Sequence, residues 1–323
     1  MTGADTFTGG ILLLDKPTGV SSFQALRPLK RLFPKTKIGH AGTLDPAASG
    51  LLLIGVGSGT RLLEYLEGMP KTYSFTARFG LVSDSYDMEG AVEPHPAAAS
   101  ASGLDAARIA AALRPFRGNI SQTPPVYSAI KIEGARACDR VRAGETVVLE
   151  SREVTVHGLE LKAFVAASAP SPEADGPGDH AAARSVPAYA PYADMAMTCS
   201  KGTYVRSLVH DLGQALGCGA VTDKIRRLAI GPFRVEDAFT PGTLVPGIPL
   251  RPMDLAVAHL PAAVVPDTHV ARFLNGQAVR PAAVPQVADR SEYRALDESG
   301  RLLAIATLSP EGLICPRKVL TRA

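Results

Sequence analysis

The chain has 323 residues, of which 46% are hydrophobic and 20% are charged, and its formal net charge is +3. This is the composition of a soluble globular protein long enough for two domains, and no apolar run approaches the roughly 18–20 residues of a membrane span. The four cysteines lie far apart without a CxxC pair, which excludes the usual zinc site and a disulfide framework. The N-terminal MTGADTFTGG lacks a basic region and an apolar core, so the predicted location is the cytoplasm.

The basic residues are concentrated in three segments. Between Lys16 and Leu44 there is no Asp or Glu, and the basic residues there are Lys16, Arg27, Lys30, Arg31, Lys35 and Lys37. Further basic clusters occupy residues 114–142 and 224–234. Segregated basic residues on a nearly neutral chain favour a surface for a polyanion, although an ordinary solvated face would have the same composition.

The beginning of the chain predicts strands that alternate with short helices. The predicted elements are a strand at Ile11–Leu14, a helix capped by Ser21 or Ser22, a buried strand at Gly50–Gly57 and a two-turn helix at residues 61–68. The capped helix has apolar positions at Phe23, Leu26, Leu29 and Phe33. In KTYSFTARFG, apolar residues alternate with polar ones at Tyr73, Phe75, Ala77 and Phe79, and this period of two predicts a half-buried strand.

The rest of the chain adds two helices, an insertion and a separate C-terminal part. Residues 102–118 predict an amphipathic helix, and a second helix packs through Val205, Leu208, Val209, Leu212 and Leu216. Residues 165–192, rich in Ala, Pro, Ser and Gly, predict a flexible surface insertion. Prolines and glycines from Pro241 to Pro252 mark a domain boundary, and short strand-like runs from about residue 265 predict a small β module.

Asp45 is the acid that follows the first basic segment, within IGHAGTLDPAASG. Asp before Pro is common in turns, because Pro keeps the preceding residue extended and Asp can bond its own backbone. The small residues that follow Pro46 leave room for a large substrate, so this carboxylate is also a candidate nucleophile at a glycosidic centre. A nucleophile must stay ionised, which a nearby arginine favours. Both interpretations, turn residue and nucleophile, are open at this point.

Two other loops resemble ligand-binding loops in composition, but their residues do not have the spacing that those motifs require. GVGSG at Gly55–Gly59 follows a strand and opens a helix, but it lacks the glycine spacing of a dinucleotide loop and the lysine of a P-loop. The acids of SDSYDMEG at Ser83–Gly90 miss the alternating positions of a calcium loop, so a polar hairpin is predicted.

Six blocks of sequence resemble, in order, the signature motifs of TruB-type tRNA pseudouridine synthases. They are GILLLDKPTGVSS, GHAGTLDPAASGLLLIGVGSGTR, KTYSFTARFG, PPVYSAIKIEG, CSKGTYVRSLVHDLG and IRRLAIGPF. The blocks span about residues 10–240, and the combination of GHxGTLDP with a downstream SKGTYxR is specific. The resemblance implies isomerisation of uridine-55 in the TΨC loop of tRNA to pseudouridine, with no cofactor and no metal.

The resemblance also implies roles for seven residues. Asp45 matches the nucleophile that forms a covalent adduct with the flipped nucleotide. His40 matches the histidine that fills the space left by the flipped bases, and Tyr73 the aromatic that stacks on the extruded uracil. Arg206 matches the arginine that pairs with the nucleophile, and Tyr204 its neighbour at the target nucleotide. Ile225 stands where leucine is common against the base, and Lys16 is expected to hold phosphate.

The implied fold is α+β: a pseudouridine-synthase fold with a central mixed, largely antiparallel sheet flanked by helices, plus a PUA-like β-barrel module. The predicted domains are 1–245, which is catalytic and carries the insertion at about 165–192, and 246–323, a linker with the RNA-binding module. The expected partner is the T-arm of tRNA, with no membrane and no obligate protein partner. Two alternatives share the motifs: a tRNA-binding or folding module without catalysis, and a guide-RNA-dependent pseudouridine synthase.

Overall fold

The computed structural model describes residues 9–167, 190–285 and 292–320. The described strands are β1 Gly9–Lys16, β2 Ile38–Ala41, β3 Ser49–Gly57, β4 Lys71–Phe79, β5 Leu81–Ser83, β6 Val92–Pro94, β7 Gly118–Gln122, β8 Lys131–Ile132, β9 Ala135–Arg136, β10 Arg152–Val165, β11 Tyr192–Cys199, β12 Ala220–Ile230, β13 Phe233–Arg234, β14 Ala262–Val264, β15 Glu292–Leu296, β16 Leu302–Leu308 and β17 Ile314–Val319. The α-helices are α1 Ser22–Ala25, α2 Arg27–Leu32, α3 Leu63–Gly68, α4 Ala106–Ala112, α5 Ala137–Arg142, α6 Val205–Leu216 and α7 Asp267–Leu274.

The described residues form two compact units. Unit 1 contains residues 9–46, 50–69, 233–285 and 292–320, and unit 2 contains residues 47–49, 70–167 and 190–232. Among the described residues, no helix is long and apolar enough to cross a membrane.

The first part of unit 1 is built on the buried strand β3. β3 pairs antiparallel with β1 and with β2, so that Leu53 lies opposite Leu13 and Ile54 opposite His40. Both apolar runs are buried along their whole length, which explains why they are continuous rather than alternating. Helices α1 and α2 cover this sheet through Ala25, Leu26 and Leu29.

The GVGSG loop serves the close packing of unit 1. A Cβ atom at Gly59 would lie 2.2 Å from the carbonyl oxygen of Gly10 on β1, and one at Gly55 would lie 2.7 Å from the carbonyl oxygen of Gly59. Side chains at these positions would therefore collide with backbone. The glycines are explained by this approach of three backbone segments.

The C-terminal part of unit 1 is a four-stranded sheet with its own core. Its strand order is β14-β15-β16-β17; β14 and β15 are parallel and the other pairs are antiparallel. Helix α7 contributes Phe273 to a core that also contains Tyr293, Leu303 and Ile314. The predicted small β module at the C-terminus is therefore confirmed as a β-sheet.

Unit 2 is built on a long antiparallel sheet with the strand order β12-β4-β11-β10-β7. β4 lies between β11 and β12, and its alternating residues Tyr73, Phe75, Ala77 and Phe79 are all buried, as predicted. Helix α6 packs against β12. Its five predicted core positions are likewise buried, and the mixed helix and strand fold agrees with the predicted class.

Two sequence predictions about local structure need correction or fall outside the described residues. The single helix predicted after Ser21 is two short helices, because Pro28 lies at the start of α2 and has no N–H group to continue α1. Phe23, predicted on the apolar side of that helix, is 62% exposed. Most of the predicted insertion, residues 168–189, lies outside the described residues.

Candidate active site

Asp45 lies in unit 1, in the loop that joins β2 to β3, and its side chain is half-buried. The residue before it, Leu44, is fixed by Ser22 at the start of α1. The backbone N–H of Leu44 donates to Ser22 Oγ at 2.9 Å, and Ser22 Oγ donates to the carbonyl oxygen of Leu44 at 3.0 Å. One buried hydroxyl therefore bonds both backbone polar groups of Leu44, the residue that leads into Asp45.

Pro46, the residue after Asp45, is fixed by residues at and just after the end of β1. The carbonyl oxygen of Pro46 accepts hydrogen bonds from the backbone N–H of Gly19 at 2.8 Å and from Lys16 Nζ at 3.2 Å. Lys16 Nζ also donates to the carbonyl oxygens of Pro17 and Val20, and the side chain is fully buried. These contacts tie Lys16 to the Asp45 loop. The predicted phosphate contact of Lys16 stays a prediction, and it would require the ammonium to leave these carbonyls.

His40 lies on β2, five residues before Asp45 and opposite Ile54 of β3. Between them, Gly42 turns the chain with a positive φ of 74°, and its N–H donates to Glu67 Oε1 of α3 at 3.3 Å. In unit 1, His40 and Asp45 therefore belong to one strand–loop–strand segment, and Lys16 at the end of β1 contacts the loop of that segment through Pro46.

Unit 2 carries the other four predicted residues. Tyr73 on β4 and Ile225 on β12 belong to paired strands, with Tyr73 opposite Arg227 and Ile225 opposite Phe75. Tyr204 is the N-cap residue of α6, and its N–H and carbonyl bond the side-chain amide of Gln122 at 2.8 and 3.0 Å.

Arg206 is buried in the first turn of α6, 3% exposed. Its guanidinium donates to the carbonyl oxygens of Ser85 at 2.8 Å and of Tyr127 at 2.9 Å, and it lies 3.6 Å from Asp87 Oδ2. These contacts hold an arginine that would be costly to bury without partners. The predicted pairing of Arg206 with Asp45, which lie in different units, stays a prediction.

Sequence reasoning missed Asp87 as a partner of Arg206. Its carboxylate accepts hydrogen bonds from Ser85 Oγ at 2.5 Å and from the N–H of Glu89 at 3.0 Å, while facing Arg206. The available signal was the acidic loop Ser83–Gly90, for which we predicted only a polar hairpin. That hairpin exists as β5 and β6, and its loop also supplies the buried anion for Arg206.

The neighbouring Tyr86 has a left-handed backbone, with φ of 62°, which is uncommon outside glycine. Its ring stacks on His210 of α6 with centroids 3.9 Å apart and an interplanar angle of 15°. His210 lies one helical turn after Arg206, so the stack fixes the 83–90 loop to the same helix. Burial lowers the pKa of His210 and raises the pKa of the adjacent Asp211 to about 6.

Other nucleophiles and metal ligands are less suited to chemistry in this structure. Burial raises the pKa of the Cys199 thiol to about 11 and also raises the pKa of Cys218, so both remain protonated near neutral pH. Within the described parts of the chain, no group of three or more His, Cys, Asp or Glu side chains is placed to hold a metal ion. A carboxylate displayed on a braced loop is the best candidate for nucleophilic chemistry.

Comparison with protein families gives two matches that together cover residues 30–245. The model of the TruB family pseudouridylate synthase N-terminal domain matches residues 30–205, and the model of the tRNA pseudouridylate synthase B C-terminal domain matches residues 206–245.

Curated relatives match over nearly the whole chain. tRNA pseudouridine synthase B of Burkholderia mallei (strain NCTC 10247) is 37% identical, covering 96% of this chain and 96% of the relative. The protein of the same name from Pseudomonas aeruginosa (strain UCBPP-PA14) is 36% identical, covering 96% of this chain and 95% of the relative.

Solved structures share the fold. A chain in a Cbf5–Nop10–Gar1 complex has a TM-score of 0.68 at 23% identity, with 97% of this chain and 85% of that chain covered. A chain in an H/ACA RNP bound to a substrate RNA containing 2'-deoxyuridine has a TM-score of 0.67 at 21% identity, with 98% and 86% covered.

Proposed function

Because this chain belongs to the TruB family of pseudouridylate synthases, we propose that it converts uridine-55 in the TΨC loop of tRNA to pseudouridine. The family and the near-full-length relatives make it a pseudouridine synthase that acts on tRNA. The position in the tRNA and the residues that carry the reaction are our proposal. The observation that best supports it is the bracing of the Asp45 loop by Ser22 on one side and Lys16 on the other.

The proposed reaction moves a glycosidic bond from nitrogen to carbon. The Asp45 carboxylate forms a covalent adduct with the nucleotide, and the N1–C1′ bond to uracil breaks. The base rotates, C5 bonds to C1′, the hydrogen on C5 leaves as a proton and N1 takes up a proton. The carboxylate is released at the end, so the sequence is an isomerisation that consumes no cofactor.

Access to uridine-55 requires the base to leave its stack, at a cost of a few kcal/mol. We assign His40 to the space that the flipped bases leave and Tyr73 to stacking on the extruded uracil. Ile225 packs against the base, Tyr204 contacts the target nucleotide, and Arg206 keeps the nucleophile ionised. The rigid contacts of Tyr204 with Gln122 and of Arg206 with Ser85 and Tyr127 suit residues that must hold a fixed geometry.

We further propose that residues 1–245 act as the catalytic domain and that 246–323 supply a linker and a PUA-like module that holds the T-arm. In this proposal the enzyme works in the cytoplasm without an obligate protein partner. The relatives that match at 36–37% identity are named for tRNA, whereas the ribonucleoprotein structures match at 21–23% and inform the fold alone.

The test is incubation of the purified chain with an unmodified tRNA transcript, followed by chemical mapping of pseudouridine. We expect one product, at position 55, without an added protein, guide RNA or metal. A transcript with cytidine at position 55 is the matched control and should remain unmodified. Tight tRNA binding without conversion would instead support the non-catalytic alternative, and conversion only with an added guide would support the guide-dependent one.

A further inference from the structure

Helices α1 and α2 and the segment after them expose a group of cations in unit 1. The exposed cations are Arg27, Lys30, Arg31, Lys35 and Lys37. None of them makes an ion pair with another residue in the described ranges. Two exposed arginines elsewhere pair with carboxylates, Arg136 with Asp139 and Arg251 with Asp237, whereas single exposed arginines such as Arg108 and Arg114 have no ion pair in the described ranges. The α1–α2 segment differs in gathering five such cations within eleven residues. We call these five cations, together with Phe23, the α1–α2 face.

Phe23 gives this face an exposed aromatic ring. Its neighbours Ser22 and Ala25 are buried, while Phe23 itself is 62% exposed. Lys30 Nζ lies 4.6 Å from the centroid of the ring, a cation–π contact that positions a charge beside it. A single exposed apolar residue needs no explanation, but an aromatic ring among unpaired cations has the composition of a single-stranded nucleic-acid site.

The like charges on α2 destabilise the helix. Arg27 and Lys30 are three residues apart, and Arg27 and Arg31 are four apart, so like charges lie next to each other on the helix surface. The segment from Lys16 to Leu44 contains no Asp or Glu to offset them. A bound polyanion would neutralise this repulsion.

We propose that the α1–α2 face binds an unpaired stretch of the tRNA substrate outside the modified nucleotide, with Arg27 and Arg31 on phosphates and Phe23 stacked on a base. The proposal rests on the proposed function for the identity of the RNA. An RNA strand provides flat bases beside regularly spaced phosphates, which matches a ring flanked by cations. Lys37, the last cation of the face, directly precedes β2, which carries His40. An RNA stretch bound to the face would therefore lie near the segment that continues into the Asp45 loop.

The experiment measures the dissociation constant for a fluorescent tRNA transcript, over a range of salt concentrations, with the full-length protein. The first variant is Arg27→Ala/Arg31→Ala. Its matched control is Arg108→Ala/Lys162→Ala, which removes the same charge from two exposed residues that lie outside the three basic segments and outside residues 246–323. We expect the first variant to reduce the slope of log K against log salt by about 2, because each lost phosphate contact contributes about 1. The control should leave the slope unchanged.

The ring is tested with Phe23→Ala and its conservative counterpart Phe23→Tyr. We expect Phe23→Ala to weaken binding by about 5- to 100-fold with an unchanged salt slope, as for loss of one stacked base, and Phe23→Tyr to bind normally. Equal affinities and slopes for the Arg27/Arg31 variant and its control would overturn the proposal, as would normal binding by Phe23→Ala. Binding is read without turnover, so a wild-type protein that binds tRNA but forms no pseudouridine would refute the proposed reaction and leave this test intact.

Discussion

The hydroxyl of Ser22 bonds both backbone polar groups of Leu44, the residue immediately before Asp45. The two residues are 22 positions apart, so the start of α1 is tied directly to the loop that carries the proposed nucleophile. Since Ser22 is buried, water cannot replace its hydroxyl without a rearrangement of the loop. This contact is the basis of the first prediction.

Ser22→Ala should slow catalysis much more than it weakens tRNA binding. The variant leaves the N–H and carbonyl of Leu44 without their partner and lets Asp45 move, and a displacement of about 1 Å can cost about 100-fold in rate. We expect kcat to fall by about 10- to 100-fold with an unchanged Kd for tRNA. Single-turnover kinetics with filter binding measures both quantities.

Ser21→Ala is the control for this prediction. Ser21 Oγ caps α1 by accepting from the N–H of Gln24, so its loss destabilises the same helix by about 1 kcal/mol without touching Leu44. We expect its kcat to stay near the wild-type value, and Ser22→Thr, which keeps a hydroxyl, to recover activity. Equal losses in Ser21→Ala and Ser22→Ala would show a general effect on stability instead.

Asp87→Asn should destabilise unit 2 through Arg206. The amide keeps the shape and some hydrogen bonds of the carboxylate but removes the negative charge 3.6 Å from a buried guanidinium. We expect the free energy of unfolding to fall by about 1–3 kcal/mol, measured by denaturant titration. Asp84→Asn, in the same loop but exposed, should cost less; an equal cost would argue against the Arg206 pairing as the cause.

Tyr65→Phe should loosen the C-terminal sheet from α3. The Tyr65 hydroxyl donates to Glu292 Oε1 at 3.0 Å, and burial together with this carboxylate raises the pKa of Tyr65. Lys318 lies over the same ring, 4.9 Å from its centroid. We expect faster hydrogen exchange in β15 and β17 and unchanged exchange in β1 and β3.

The control for the contact between α3 and the C-terminal sheet is Tyr293→Phe. The Tyr293 hydroxyl donates to the carbonyl oxygen of Pro285 at 3.5 Å and, within the described residues, makes no hydrogen bond with α3. Removal of this hydroxyl should leave hydrogen exchange in β17 and α3 as in the wild type. Unchanged exchange in β15 and β17 of Tyr65→Phe would mean that the hydroxyl does not hold the sheet.

Asp211→Asn should change how stability depends on pH. Burial raises the pKa of Asp211 from 3.8 to about 6, so between about pH 4 and pH 6 the folded protein binds more protons than the unfolded chain. The wild type therefore loses stability from this group as the pH rises through that window, and the variant does not. His210, whose pKa is lowered, contributes in the opposite direction but is present in both proteins.

Thermal melts of the wild type and Asp211→Asn at several pH values test this prediction. The difference in melting temperature should shift in favour of the variant from about pH 4 to about pH 6 and then stay constant. A difference that is flat across this range would show that Asp211 titrates normally in the folded protein.

The elements with strong periodicity could be predicted from the sequence. β4 followed from alternation and α6 from its apolar stripe, because in both cases each residue's burial depends on its own strand or helix period. The helix after Ser21 was only partly predicted, since Pro28 breaks it and Phe23 faces solvent. The apolar spacing predicted that Phe23 faces the core. This prediction assumed one continuous helix and ignored the helix break at Pro28.

The residues that support the site were harder to find. Asp45 and Arg206 stand in distinctive motifs, whereas Ser22 and Asp87 act through partners 22 and 119 positions away. Such contacts depend on how the fold brings distant segments together, so they cannot be predicted from residue spacing along the chain. The family resemblance implied a phosphate contact for Lys16, while its burial against three carbonyls emerges only from the folded loop.

The most direct measurement of the central claim is pseudouridine formation by Asp45→Asn at saturating tRNA, with binding measured on the same preparation. The amide retains the size of the carboxylate and loses its nucleophilic charge. We predict normal tRNA affinity with no detectable pseudouridine and no covalent protein–RNA adduct. Turnover by Asp45→Asn at a rate near that of the wild type would contradict the assignment of Asp45 as the nucleophile.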